Sequence, residues 1–163
     1  MTNTREKLKK HMYLAIPMMD TNQIASTIGS IAEQLVCKFF NWDKNGDIGN
    51  EKGYDATDKH GNKYEIKSMS YESKTPYVPY IHSKKKDRYD YLVIVHYDEE
   101  RCAIISHEDI EKFIEDNILP GRKTKTFRLM FDDPLLTSLG KPRKKSRFLQ
   151  LFLDNEVKNY KHG

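Results

Sequence analysis

The sequence predicts an α/β fold, a single domain over residues 1–163 in which a mixed central β-sheet is flanked by helices. Three observations predict it. A long amphipathic helix over Asn22 to Phe40 comes first, and a short hairpin folded about Gly61 follows. Then Tyr91 to His96 runs with both faces apolar, as a strand covered on both sides does. Composition agrees: 163 residues, 37% hydrophobic and 32% charged, describe a polar chain that can still bury one core.

Thr4 to Ala15 reads as a packing helix with a basic solvent face, ended by Pro17. In Asn22–Phe40 the residues Ile24, Ile28, Ile31, Leu35 and Phe39 recur at the spacing of one buried face, and Asp20, Thr21 or Asn22 can cap the start. Glu33 falls opposite that stripe, among Gly29, Val36 and Phe40, a face small enough to lie close on a sheet. Asn41 to Lys52 reads as a loop leading Trp42 into the core. Its acids begin like a calcium loop, but Ile48 and Tyr54 stand where an EF-hand needs Gly and Glu.

Farther on, Ser68 to Asp90 contains Pro76 and Pro79 and reads as an ordered loop, while Tyr91–His96 should hold the sheet centre. Glu99-Glu100 turns the chain into a return strand at Cys102–Ile105. Ser106 then caps a helix through Ile118 that turns Ile110, Phe113 and Ile114 inward. Phe127 to Phe131 reads as a strand. Phe148 to Leu153 is too apolar for a disordered tail and should dock on the domain or on a second subunit. His96 and His107 have no metal-spaced partner and read as structural.

No apolar run approaches the roughly 18–20 residues that span a bilayer, and Met1 to Asp20 lacks a secretory layout, so an intracellular, cytoplasmic protein is expected. Cys37 and Cys102 lack the spacing of a zinc site or a disulfide framework. Net charge is +4 and uneven. Residues 121–163 carry eleven Lys or Arg against four Asp or Glu, a net of +7, which leaves −3 for residues 1–120. A basic extension beside an acidic half suits a protein that meets phosphates with lysines and a cation with carboxylates.

The chemistry converges on Gly53 to Lys67. Glu65 and Lys67 are two apart, so on a strand they share a face, about 6.5–7 Å apart along the backbone. Register decides whether Asp55 joins them. A three-residue loop Lys59-His60-Gly61 pairs Asp55 with Glu65, whereas a two-residue loop His60-Gly61 pairs Asp55 with Ile66; Gly in the third loop position favours the first. Two carboxylates beside an ammonium suit a hard divalent cation and hydrolysis of a phosphodiester.

Asp55 followed by Glu65-Ile66-Lys67 resembles the motif of the PD-(D/E)xK nuclease superfamily, with Tyr54 in place of the usual proline. The resemblance implies a restriction-endonuclease-like fold with its core over about residues 21–118, ahead of the basic extension that the charge count places at 121–163. It implies Asp55 and Glu65 as ligands of Mg²⁺, with Mn²⁺ able to substitute, the Ile66 carbonyl as a further ligand, and Lys67 as the catalytic lysine. Gly29 to Glu33 is similar to the family's first-helix Gly-x-x-x-Glu, which adds Glu33 as a third carboxylate.

Around that core, Tyr77, Tyr80, His82, Lys84, Lys85, Lys86 and Arg88 interleave aromatic and basic side chains just downstream of the motif. They are expected to contact double-stranded DNA, as are Arg143, Lys144, Lys145 and Arg147. The expected activity is a type II restriction-like endodeoxyribonuclease, with no small-molecule cofactor and, for cutting both strands, a homodimer. The alternatives are a junction resolvase and a DNA-binding protein that does not cut.

Overall fold

The structure is a computed structural model, and it describes residues 4–9, 20–45, 53–71, 77–79, 89–117, 126–128 and 147–163. Helix α1 (Thr4–Lys9) precedes α2 (Thr21–Phe40). Strands β1 (Asp43–Lys44), β2 (Ala56–Thr57), β3 (Lys63–Met69), β4 (Tyr77–Pro79), β5 (Tyr91–His96) and β6 (Arg101–Ser106) follow. Helix α3 (His107–Asn117), β7 (Thr126–Arg128) and α4 (Arg147–Asp154) complete the elements. The main sheet runs β1-β2-β3-β5-β6, with β3 and β5 parallel and the other pairs antiparallel. A separate two-stranded sheet joins β4 to β7. The fold is thus α/β with a mixed, open sheet.

Each helix has a local cause. Asp20 caps α2 reciprocally: its carboxylate accepts the Gln23 N–H at 2.8 Å, and its own N–H donates to the Gln23 side chain at 2.9 Å. Asn41, left-handed at φ 55°, ends the helix by donating its N–H to the Cys37 carbonyl. Ser106 accepts the Asp109 N–H and starts α3, whose Ile110 and Ile114 are buried.

Two apolar layers sandwich the sheet. On one face, Ala32, Val36 and Cys37 of α2 pack with Ala56, Tyr64, Ile66, Val93 and Val95. On the other, Ile110 and Ile114 of α3 and Phe148 and Phe152 of α4 pack with Met69, Leu92 and Ile94. Fully burying side chains of this size contributes about 1.5–3 kcal/mol each, which fixes which face of each strand turns inward. No helix among the described residues is long and apolar enough to cross a membrane.

Several expectations need correction. The buried stripe of α2 is Ile24, Ile28, Ala32 and Val36, while Phe39 is 39% exposed. A spacing of four throughout, with a small residue at Ala32, lets the helix approach β3 more closely than the bulkier stripe would. Asp43–Lys44, read as loop, is a strand paired with β2. Tyr77–Pro79 is also a strand; Pro79 is tolerated there because a two-stranded sheet has only edge strands. The middle of the five-stranded order belongs to β3, with β5 interior beside it. The strand at 127–131 is observed as Thr126–Arg128, and of the helix over 4–15 the part described is Thr4–Lys9. Residues 10–19, 46–52 and 129–146 lie outside the described residues.

Phe148 to Leu153 docks as expected, as helix α4, with Phe152 fully buried. Beyond it the chain adds an unforeseen layer. Glu156 bridges to Ala103, the Ile104 N–H donates to Asn155, and the Val157 N–H donates to Cys102, so residues 155–157 cover the outer edge of β6.

Candidate active site

The register of the hairpin follows from its turn. Asp58 accepts the N–H groups of His60 and Asn62 on one oxygen, and the Asn62 amide and Tyr64 hydroxyl on the other. Burial acts against its charge, but these four hydrogen bonds outweigh it and lower the Asp58 carboxyl to about 2. Gly61 takes the left-handed conformation at φ 83°, and Ala56 and Thr57 then pair with Tyr64 and Lys63. That is the register of the three-residue loop.

One step farther out, the ladder ends. The Asp55 N–H donates to the Tyr64 carbonyl, so Asp55 breaks the pairing at the position where it would face Glu65. Its carboxylate instead accepts the Ile66 N–H at 2.7 Å. The acid takes the place of a strand carbonyl at the β3 edge. β1 holds this corner: the Asn45 N–H donates to the Asp55 carbonyl at 2.8 Å and the Asn45 amide to the Tyr54 carbonyl at 3.0 Å.

Glu65 and Lys67 share a face of β3 and form an ion pair at 2.5 Å, with side chains 13% and 30% exposed. Burial works against the Lys67 charge, yet Glu65, Asp55 and Glu33 together outweigh it and raise the ammonium above lysine's usual value. Glu33 comes from α2 on the other layer and pairs with Lys44 at 3.5 Å. Burial, then the charge of Asp55, raises its carboxyl above the usual range, with Lys44 opposing. The same burial and the nearby Glu33 push the Cys37 thiol up to about 11, so that sulfur is an inert neighbour. On the α3 side, burial and then the charges of Glu65 and Glu111 raise the Tyr89 phenol.

Glu65 thus pairs directly with Lys67, and Asp55 and Glu33 also act on the Lys67 charge, while Glu33 pairs with Lys44. Ile66 enters the site through its N–H; no role for its carbonyl is visible in that bond. Lys44 was missed in sequence, because a two-residue strand carries no periodicity. The available signal was the spacing of Trp42 and Lys44, which puts both on one side of the chain, where Trp42 stacks on Tyr64 at 3.7 Å.

The donor set is chemically suited to a hard cation, since it offers carboxylate oxygens, and the repulsion that Glu33 feels from Asp55 is of the kind a divalent ion relieves. In this arrangement Glu65 faces Lys67 and Glu33 faces Lys44. Among the described residues no three metal-ligating side chains are already gathered.

Of the expected DNA contacts, Tyr77 opens β4 and Arg147 opens α4. Tyr80, His82, Lys84, Lys85, Lys86, Arg88, Arg143, Lys144 and Lys145 lie outside the described residues.

The chain matches no family model and no curated protein. Among solved structures it is similar to a bacterial homing endonuclease, I-Ssp6803I, at 19% identity and a TM-score of 0.43, over 77% of this chain and 84% of that one.

Proposed function

We propose that this chain is a metal-dependent nuclease of the PD-(D/E)xK type, a restriction-like endonuclease that hydrolyses phosphodiester bonds of double-stranded DNA. The observation that carries the reading is the corner at the β3 edge: the Asp55 carboxylate fixed by the Ile66 N–H, beside the Glu65–Lys67 pair. A purely structural hairpin has no need to hold an acid against the Ile66 N–H beside a part-buried Glu65–Lys67 pair.

In this reading Asp55 and Glu65, with Glu33, would hold Mg²⁺ or Mn²⁺, which would supply Lewis-acid chemistry for phosphodiester hydrolysis there. The residues of the chain do the rest. The backbone N–H of Ile66 holds the Asp55 carboxylate in one orientation, a preorganisation that costs nothing at the moment of reaction. Lys67, kept protonated by its acidic neighbours, serves as a cation facing the charge that builds on the phosphate oxygens. A homodimer, as cutting both strands calls for, would not form by extending the sheet at the outer edge of β6, whose backbone residues 155–157 already engage.

Incubating long duplex DNA with the protein and Mg²⁺, with EDTA, and with the Glu65→Ala variant tests this. Discrete fragments that need the metal and vanish in the variant are expected. Intact DNA whose mobility shift survives both EDTA and the substitution would leave a binding protein without nuclease activity.

A further inference from the structure

The acids of the site outnumber its assigned lysine three to one, and a substrate that is itself a polyanion must approach them. Lys44 changes that balance. It lies on β1 opposite Ala56, the residue that follows Asp55, and its ammonium is 3.5 Å from Glu33 with both side chains 27% exposed. Trp42, two residues earlier, packs with the α2 layer, whereas Glu65 and Lys67 alternate with the Tyr64 and Ile66 side chains that face that layer. The two lysines therefore reach the Asp55 corner from opposite faces of the sheet.

We propose that Lys44 is a second substrate-binding lysine, which contacts a backbone phosphate of the nucleic acid other than the one facing Lys67. The proposal rests on the nuclease reading above and adds a residue to it. Both side chains of the pair are 27% exposed, and exchanging the Glu33 carboxylate for a phosphate oxygen leaves the Lys44 ammonium with an oxyanion partner. Lysine suits that exchange because it binds phosphate as a point charge on a flexible stem and needs no fixed fork geometry. β1 is two residues long, pairs with β2, and is followed by Asn45, which fastens the chain to the Asp55 corner by two hydrogen bonds. Those bonds fix the base of the Lys44 side chain while its tip stays at the surface.

The test separates phosphate contact from simple support of Glu33. In a Glu65→Ala background with Mg²⁺, the dissociation constant of a labelled duplex DNA is measured against salt for Lys44, Lys44→Ala and Lys44→Arg proteins. Removing one phosphate contact should flatten the slope of log affinity against log salt by about 0.9, and Lys44→Arg should restore it. Matching thermal midpoints for the three proteins show that the comparison is between folded molecules, and the Arg variant serves as the folded reference if Ala unfolds. An unchanged slope in a folded Lys44→Ala protein overturns the proposal and leaves Lys44 as the counter-ion of Glu33. Absence of duplex binding by every protein, the parent included, overturns the nucleic-acid reading itself.

Discussion

The Asp55 carboxylate accepts the Ile66 N–H at 2.7 Å, at the point where the β2 ladder stops and β3 runs on along β5. One side chain thus closes a sheet edge and offers a negative charge to the site. The two roles can be taken apart. Asn in place of Asp55 retains an acceptor for the Ile66 N–H and loses the charge, so its stability should stay within about 0.5 kcal/mol of the parent while cleavage falls by roughly 10²-fold or more. Asp55→Ala orphans a part-buried N–H and should cost about 1–3 kcal/mol as well. Urea denaturation beside a cleavage assay measures both, and an active Asp55→Asn protein would remove Asp55 from the chemistry.

Lys67 and Glu65, paired at 2.5 Å, should differ in what their loss does. Lys67→Ala should cut single-turnover cleavage by roughly 10²-fold or more and leave duplex affinity within a few-fold, because its charge acts where the transition state builds its own. Glu65→Ala should abolish the metal dependence together with the activity. Calorimetric titration of Mg²⁺ into each protein separates them: binding kept in Lys67→Ala and weakened in Glu65→Ala is expected, and the reverse would exchange their roles.

How far the site could be read in advance follows from where its specificity resides. The turn at Lys59-His60-Gly61 is encoded by adjacent residues, so the register of the hairpin was legible, although the ladder stops one residue short of the expected pairing of Asp55 with Glu65. So was the apolar strand β5, because a strand buried on both faces needs no distant partner to be recognised. The face of α2 was legible only in part: Ile24 and Ile28 belong to the stripe that the periodicity predicts, but Ala32 and Val36 win the interior from Ile31 and Leu35 because closeness to β3 outweighs side-chain size. The edge-covering segment 155–157 was invisible because its partner β6 is far away in sequence, and β1 because two residues carry no periodicity. The bond from Ile66 to Asp55 lies within the hairpin and was missed for another reason: a side chain there stands in for a strand.

Asp58 predicts how the site responds to acid. Its folded carboxyl lies at about 2, below the usual unfolded value of about 3.9, so its contribution to the hairpin is present above that unfolded value. The contribution is lost as pH falls through about 2. Asp58→Ala should therefore lower the thermal midpoint at pH 7, with a difference from the parent that shrinks toward pH 2. Cleavage should fall with it, since the same turn sets the register of Asp55. Equal midpoints at pH 7 would mean that the four hydrogen bonds to Asp58 are replaced by water without loss.

The C-terminal segment permits a decision between two forces. Arg101 binds Glu156 through two nitrogens, at 2.6 and 2.8 Å, while Tyr160 buries its ring against Phe39 and Phe40 with 2% exposure. The ion pair is part-exposed and should contribute about 1 kcal/mol, against about 3 kcal/mol for the ring, so burial rather than charge holds the segment on β6. Tyr160→Ala should accordingly destabilise more than Arg101→Ala in urea titrations at pH 7. The Arg101 effect alone should fade in acid. Hydrogen bonds from Arg101 lower the Glu156 carboxyl below its usual value, so the pair stabilises above the unfolded pKa and its contribution disappears as pH falls through the folded one. A larger loss from Arg101→Ala than from Tyr160→Ala would reverse the ranking and make the ion pair the principal clasp of the β6 edge.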